Sequence, residues 1–313
     1  MPSAYQLGRW ICLLTLFLLP MIGYGRDLLQ EEVAEPEPEA SDTRSGQSEA
    51  PGAGIPVSDR VQAVHEASSN PFSLASHKTN YVLPASYNDT LGEGETPDAA
   101  PTDWNSLEIE FQLSVQVPVW SGVLGEASFV SLAYTNRSFW QAYSSSAPFR
   151  ESSHEPEILV TWLSDWELLG FQCVASQLAI SHQSNGRGDR LSRGWNRVYA
   201  NFIFERDDFF LSFKPWYRIP ESAPGDDNPD MEFYMGNFEL EGGYRSGGFG
   251  ASLMLRNNLR EENRGAVELR WTFPVGQRIR GYLKYFNGYG ENMMNYDQYQ
   301  QSFGIGVELA QGF

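Results

Sequence analysis

Between Leu107 and Val119 every odd-numbered residue is apolar, and the even-numbered ones, Pro118 apart, are Glu, Gln or Ser. A helix would scatter these residues around its axis, whereas a strand sends them to opposite faces. The same period of two returns in Val267–Phe273 and in Phe303–Leu309, close to the final Phe313. Further strand-like runs lie at Ser76–Ala85, Ala127–Trp140, Glu157–Trp166, Phe171–Ser184, Trp195–Glu205, Phe209–Arg218, Glu232–Tyr244, Gly250–Asn257 and Ile279–Phe286. Together they predict about twelve strands, spaced at roughly 20 residues per strand and connection, as strands of ~10 residues that cross a bilayer require.

Alternation also suits a soluble sandwich, so other features must choose between the two. The first is an export address. Arg9 precedes the apolar run Trp10–Leu19, and small residues follow up to Gly25. This pattern predicts a signal peptide over residues 1–25. The run falls short of the ~20 apolar residues of a spanning helix, and no later segment qualifies. The second feature is aromatic residues near strand ends, namely Trp104, Trp120, Trp140, Trp195, Trp216 and Tyr285, as an interfacial girdle requires. The third is a final strand ending in Phe. In lipid every backbone group needs a partner, so a chain that spans without helices must close into a barrel. The expectation is an all-β, antiparallel transmembrane β-barrel over residues 71–313.

Residues 26–70 read differently. Glu-Pro-Glu-Pro-Glu and Pro-Gly-Ala-Gly segments bury too little apolar surface to offset their ordering entropy, which predicts an acidic, disordered extension; a periplasmic position for it is an expectation that composition does not supply. The net charge of −18 argues against nucleic acid as a partner. Cys173 alone survives removal of the signal, so no internal disulfide is possible.

Of the four histidines, His65, His77 and His154 read as solvated or satisfied polar residues. His182 stands apart, because parity puts it with Leu178, Ile180 and Ser184 on the apolar, lipid-facing side of its strand. Residues i and i+2 lie ~6.8 Å apart on one face. In the next strand Asn196 shares a face with Val198, Ala200 and Phe202, so a hairpin would bring it beside His182. Two readings remain open: Ser184, His182 and Asn196 as nucleophile, base and orienter, or a set of interfacial polar residues at a strand end. The intervening Asn185–Gly194 loop offers hard oxygens of the kind calcium takes, or is an ordinary turn.

The stretch His182-Gln-Ser-Asn-Gly-Arg-Gly-Asp-Arg-Leu-Ser-Arg-Gly-Trp-Asn-Arg197 resembles the signature of the outer-membrane phospholipase A enzymes. Tyr134–Gln141, Ser146–Glu151, Lys214–Tyr217, Asp227–Asp230 and Gly288–Glu291 extend the resemblance across the barrel region. It implies a Gram-negative outer-membrane location and phospholipid as substrate, cleaved at an acyl ester (A1/A2 type). Ser184 would be the nucleophile, His182 the base and Asn196 the orienter, with the Gly186 N–H in the oxyanion site. It further implies Ca2+ held by Ser192 and the Arg187 carbonyl, with Ser146 contributed by a second subunit and Asp189 at a position tied to calcium in the monomer. Activity would follow reversible homodimerisation, with Asn136 at the interface. Gly188 stands where that pattern often has a hydroxyl residue. Two competing readings are a non-catalytic barrel of the same fold and a soluble exported esterase.

Overall fold

The computed structural model describes residues 74–91, 104–222, 226 and 228–309, with nothing described of the Asp189 side chain. The expected signal peptide (1–25), the acidic extension (26–70), His65 and the terminal Phe313 therefore lie outside the described residues. The described residues form fourteen strands in order: β1 (Ala75–Ser76), β2 (Tyr81–Asn88), β3 (Leu107–Ser121), β4 (Ser128–Trp140), β5 (Phe149–Leu163), β6 (Glu167–Leu168), β7 (Phe171–Ser184), β8 (Gly194–Arg206), β9 (Phe209–Ile219), β10 (Phe238–Ser246), β11 (Phe249–Asn257), β12 (Gly265–Pro274), β13 (Ile279–Tyr289) and β14 (Tyr299–Leu309). Strands β1 and β6 are two-residue pieces. The other twelve pair antiparallel with their neighbours, and β14 pairs with β2, so the sheet is a closed twelve-stranded barrel. No helix among the described residues is long and apolar enough to cross a membrane.

The two faces confirm the parity argument and invert the usual globule. Along β3 the even residues Glu108, Glu110, Ser114 and Gln116 are buried, whereas Leu113 is 53% exposed. Leu132, Ile158, Leu178 and Ile180 are likewise exposed on neighbouring strands. A polar interior inside an apolar belt is the arrangement that a bilayer imposes.

Inside, charges are neutralised in pairs. Glu110 accepts hydrogen bonds from Arg137, Lys284 and Tyr81, and Glu108 takes two from Arg150. Between β1 and β2 the chain carries His77 and Lys78 to Glu157 and Glu155. A polar cavity of about 350 Å³ remains, lined among others by Glu155, Arg197, Lys214 and Arg270. Charged groups are costly in a low-dielectric interior unless paired, and here most are.

Three sequence expectations need correction. Trp195 and Trp216 are not girdle residues, since both are buried in the interior and meet edge to face with centroids 6.2 Å apart. Both alternate with residues of the outer face, so proximity to a strand end misled the reading. Strand β5 begins at Phe149 rather than Glu157, because Glu151, Ser153 and Glu155 are buried along it instead of forming an exposed loop. Strand β10 begins only at Phe238, and Met231–Met235 form a short helix, α1, whose Met231 and Met235 pack into the interior.

Candidate active site

The hairpin of β7 and β8 pairs His182 with Asn196 and Ser184 with Gly194. The side chains of His182, Ser184 and Asn196 point to the outer wall by parity. Asn196 Oδ1 accepts a hydrogen bond from His182 Nδ1 at 2.8 Å, so the ring nitrogen facing Asn196 carries the proton. His182 is exposed, while Ser184 and Asn196 are half-buried. Ser184 Oγ makes no hydrogen bond to a described residue, and none joins it to His182. A Cβ on Gly194 would stand 3.5 Å from Ser184 Cβ, so glycine there leaves the neighbourhood of the hydroxyl open.

The ladder on the other side of β7 is interrupted at this point. Ser184 pairs with His154 and Ser181 with Glu157, but the pairs between them are missing. Pro156 lies in that gap and has no N–H to give. The strand end that carries His182 is thus less tightly laced to β5 than the rest of β7.

The 185–193 loop is organised by one side chain that the sequence reading passed over. Buried Asn185 accepts hydrogen bonds from the N–H groups of Arg187 and Arg193 and donates to the Leu191 carbonyl. Its own N–H donates to the Arg193 carbonyl. With the Arg187 N–H so engaged, the Gly186 N–H donates to no described group. Gly186 has φ 63°, a left-handed conformation that glycine adopts without strain. The Arg187 guanidinium donates to the carbonyls of Phe149 and Arg150, tying this loop to the start of β5.

The residues assigned to calcium come together only in part. The Ser192 hydroxyl and the Arg187 carbonyl are in this loop, and neither makes a hydrogen bond to a described residue. Asp189 begins a single 3-10 turn, Asp189–Leu191, but its side chain lies outside the described residues. Ser146 is exposed in the separate loop between β4 and β5, and no hydrogen bond joins it to Arg187 or Ser192. No cluster of three His, Cys, Asp or Glu side chains suited to a metal occurs among the described residues.

Asn136, on β4, is paired in register with Leu113 and with His154. Its amide nitrogen donates to the Ser153 carbonyl at 3.1 Å, and its oxygen accepts from Ser138 Oγ. His154, read from sequence as a bland polar residue, sits opposite Ser184 and shares a 2.6 Å hydrogen bond with the Tyr134 hydroxyl.

Fold and site together define a class: a closed antiparallel outer-membrane barrel with a histidine–amide pair beside a serine on its outer wall. A family model described as Phospholipase A1 matches residues 57–309. The chain belongs to the Phospholipase A1 family. It is 32% identical over 303 residues to Phospholipase A1 of Escherichia coli (strain K12), covering 95% of this chain and 96% of that one. Among solved structures, the calcium-bound dimer of the Salmonella typhi outer membrane phospholipase superposes with a TM-score of 0.74 at 33% identity, covering 80% of this chain and 98% of that one. The Escherichia coli outer membrane phospholipase A superposes with a TM-score of 0.72 at 33% identity, covering 77% and 100%.

Proposed function

We propose that this chain is a calcium-dependent outer-membrane phospholipase that cleaves acyl esters of phospholipids through Ser184, His182 and Asn196 and works as a reversible homodimer. The observation that carries the reading is the 2.8 Å His182–Asn196 hydrogen bond, two residues along the strand from Ser184 on an apolar outer wall. Phospholipid esters lie at the membrane interface, so a barrel reaches them from its outside.

His182 donates from Nδ1 to Asn196, which leaves the Nε2 lone pair to take the Ser184 proton. Ser184 Oγ then adds to the ester carbonyl. The tetrahedral oxyanion draws on the free Gly186 N–H. Collapse expels the lysophospholipid, which receives the proton from Nε2, and the acyl group stays on Ser184. Water, deprotonated by the same nitrogen, then adds to the acyl carbonyl; the bond to Ser184 Oγ breaks, Nε2 returns the proton to that oxygen, and the fatty acid leaves. Asn196 carries no charge of its own beside lipid, yet holds the ring through both steps.

The unengaged Ser192 hydroxyl and Arg187 carbonyl suit Ca2+, a hard cation that takes neutral oxygens. They would hold it with Ser146 of a second copy and with Asp189. When bound, the ion would polarise the ester carbonyl and add to oxyanion stabilisation. The need for Ser146 from a second copy links calcium to dimerisation. Asn136 stands at the proposed interface, among the exposed Leu113, Leu132 and Tyr134. Its amide is already bonded within its own chain, which holds the side chain in place while leaving a lone pair of Oδ1 for a cross-subunit bond.

The test is fatty-acid release from phospholipid in detergent micelles, with calcium and with chelator. Release that needs calcium supports the proposal, and chelation should stop it without unfolding the barrel on a heat-shift gel. Absence of release from folded protein under every condition favours a non-catalytic barrel.

A further inference from the structure

We propose that Glu221 is a positioning residue that sets the tautomer of His182 through Asn196. This rests on His182 and Asn196 acting as described above. Strand β9 ends at Ile219, the register partner of Asn196, and Pro220 stops the ladder. Two residues past the strand, Glu221 turns back, and its Oε1 accepts a hydrogen bond from Asn196 Nδ2 at 2.9 Å.

An asparagine side chain has one accepting end and one donating end of nearly equal size, so it fits a site either way round. A carboxylate only accepts. Glu221 therefore binds the amide nitrogen and turns Oδ1 toward His182. Oδ1 can only accept, so the ring must present an N–H, and Nδ1 is the nitrogen 2.8 Å away. Nε2 is left with its lone pair. The preference of one carboxylate is thus relayed through two hydrogen bonds to the atom that must take a proton.

Without Glu221, water satisfies the half-buried amide in either orientation. The flipped amide would offer N–H to Nδ1 and favour the ring with its hydrogen on Nε2. That tautomer cannot act as a base toward Ser184. The charge meanwhile stays in the loop beyond the strand end, with the neutral amide between it and the lipid-facing histidine. The relay explains how a neutral orienter keeps one orientation on an open surface.

Two measurements on the full chain in detergent micelles test this. The first is 15N NMR of imidazole-labelled protein, with the His182 signals identified by their loss in His182→Gln. Wild type should show His182 as the Nδ1–H tautomer, and Glu221→Ala should show a mixture. An unchanged tautomer in Glu221→Ala overturns the proposal, whether or not the protein hydrolyses lipid. The second is a double-mutant cycle on hydrolysis. Glu221→Ala should lower kcat about tenfold with little change in KM, the size expected for losing one orienting hydrogen bond to a charged group. The loss should vanish when Asn196→Ala is already present. A loss of equal size in that background would mean that Glu221 does not act through Asn196. Wild-type protein that shows the tautomer dependence but no hydrolysis would sink the phospholipase reading and leave the relay standing.

Discussion

Replacing Asn196 with alanine removes the acceptor that holds the His182 ring and the donor that meets Glu221. The amide is half-buried, and the ring it holds is exposed, so water can take the place of Oδ1. A neutral hydrogen bond contributes about 0.5–1.5 kcal/mol net, which corresponds to roughly 2- to 13-fold in rate. Water does not choose a tautomer, which adds a small further factor. The expected loss in kcat/KM for Asn196→Ala is therefore about 4- to 30-fold. His182→Ala removes the base itself, and general-base catalysis supplies about 10²- to 10⁴-fold. The assay is calcium-supported fatty-acid release from mixed micelles, with a heat-shift gel to show that each variant keeps its barrel. Losses of equal size in the two variants would refute the division of labour between base and orienter. So would a folded Asn196→Ala variant with unchanged activity.

Other expectations follow from the same loop and its neighbour. Asn185→Ala removes three side-chain hydrogen bonds, at Arg187, Arg193 and Leu191. It should raise the calcium needed for half-maximal activity and speed trypsin cleavage after Arg187, Arg190 or Arg193; wild-type values for both would show that the loop is shaped elsewhere. The loop after β9 should loosen in acid. Burial pushes the Asp226 carboxyl up, but the Arg218 hydrogen bond, the Asn228 backbone N–H and the Arg218 charge outweigh it, so its pKa lies below the ordinary value. A group depressed in this way stabilises the fold above its unfolded pKa and loses that contribution as pH falls through its folded value. Amide exchange at Arg218 and Asn228, corrected for the intrinsic rate, should therefore rise below roughly pH 4, and Asp226→Asn should remove the pH-dependent part. Gly194→Val should lower activity by crowding Ser184 without unfolding the barrel, and an unaffected kcat/KM would place the reacting hydroxyl elsewhere.

Much of the barrel was legible because a strand's two faces meet opposite solvents. Glu108, Glu110 and Leu113 declare their faces by type alone, and a period of two leaves no freedom about the rest. The pattern failed where polar residues cluster at strand ends. The stretch from Phe149 to Pro156 falls outside the strand read from sequence, although Ser153, His154 and Glu155 alternate across it and its lumen side happens to be charged. Trp195 and Trp216 failed for the converse reason, since an aromatic ring suits both a girdle and a packed lumen. The His182–Asn196 pairing could be anticipated from parity and a single hairpin, which are local properties. Asn185 acts on the backbone of its own loop, and Glu221 reaches Asn196 from beyond the next strand. Neither has a spacing that announces the contact. The gap at Pro156 could be foreseen only with β5 correctly placed, because the missing N–H matters only once its ladder partner is known.

The central claim is that Ser184, on the outer wall, is the atom that attacks the ester. The measurement that tests it most directly is covalent trapping with an alkyl fluorophosphonate in micelles with calcium, read by peptide mass spectrometry. An adduct on Ser184, strongly reduced in His182→Ala and by chelation, is the predicted result. An adduct on another residue, or none on folded and calcium-loaded protein, would contradict the account.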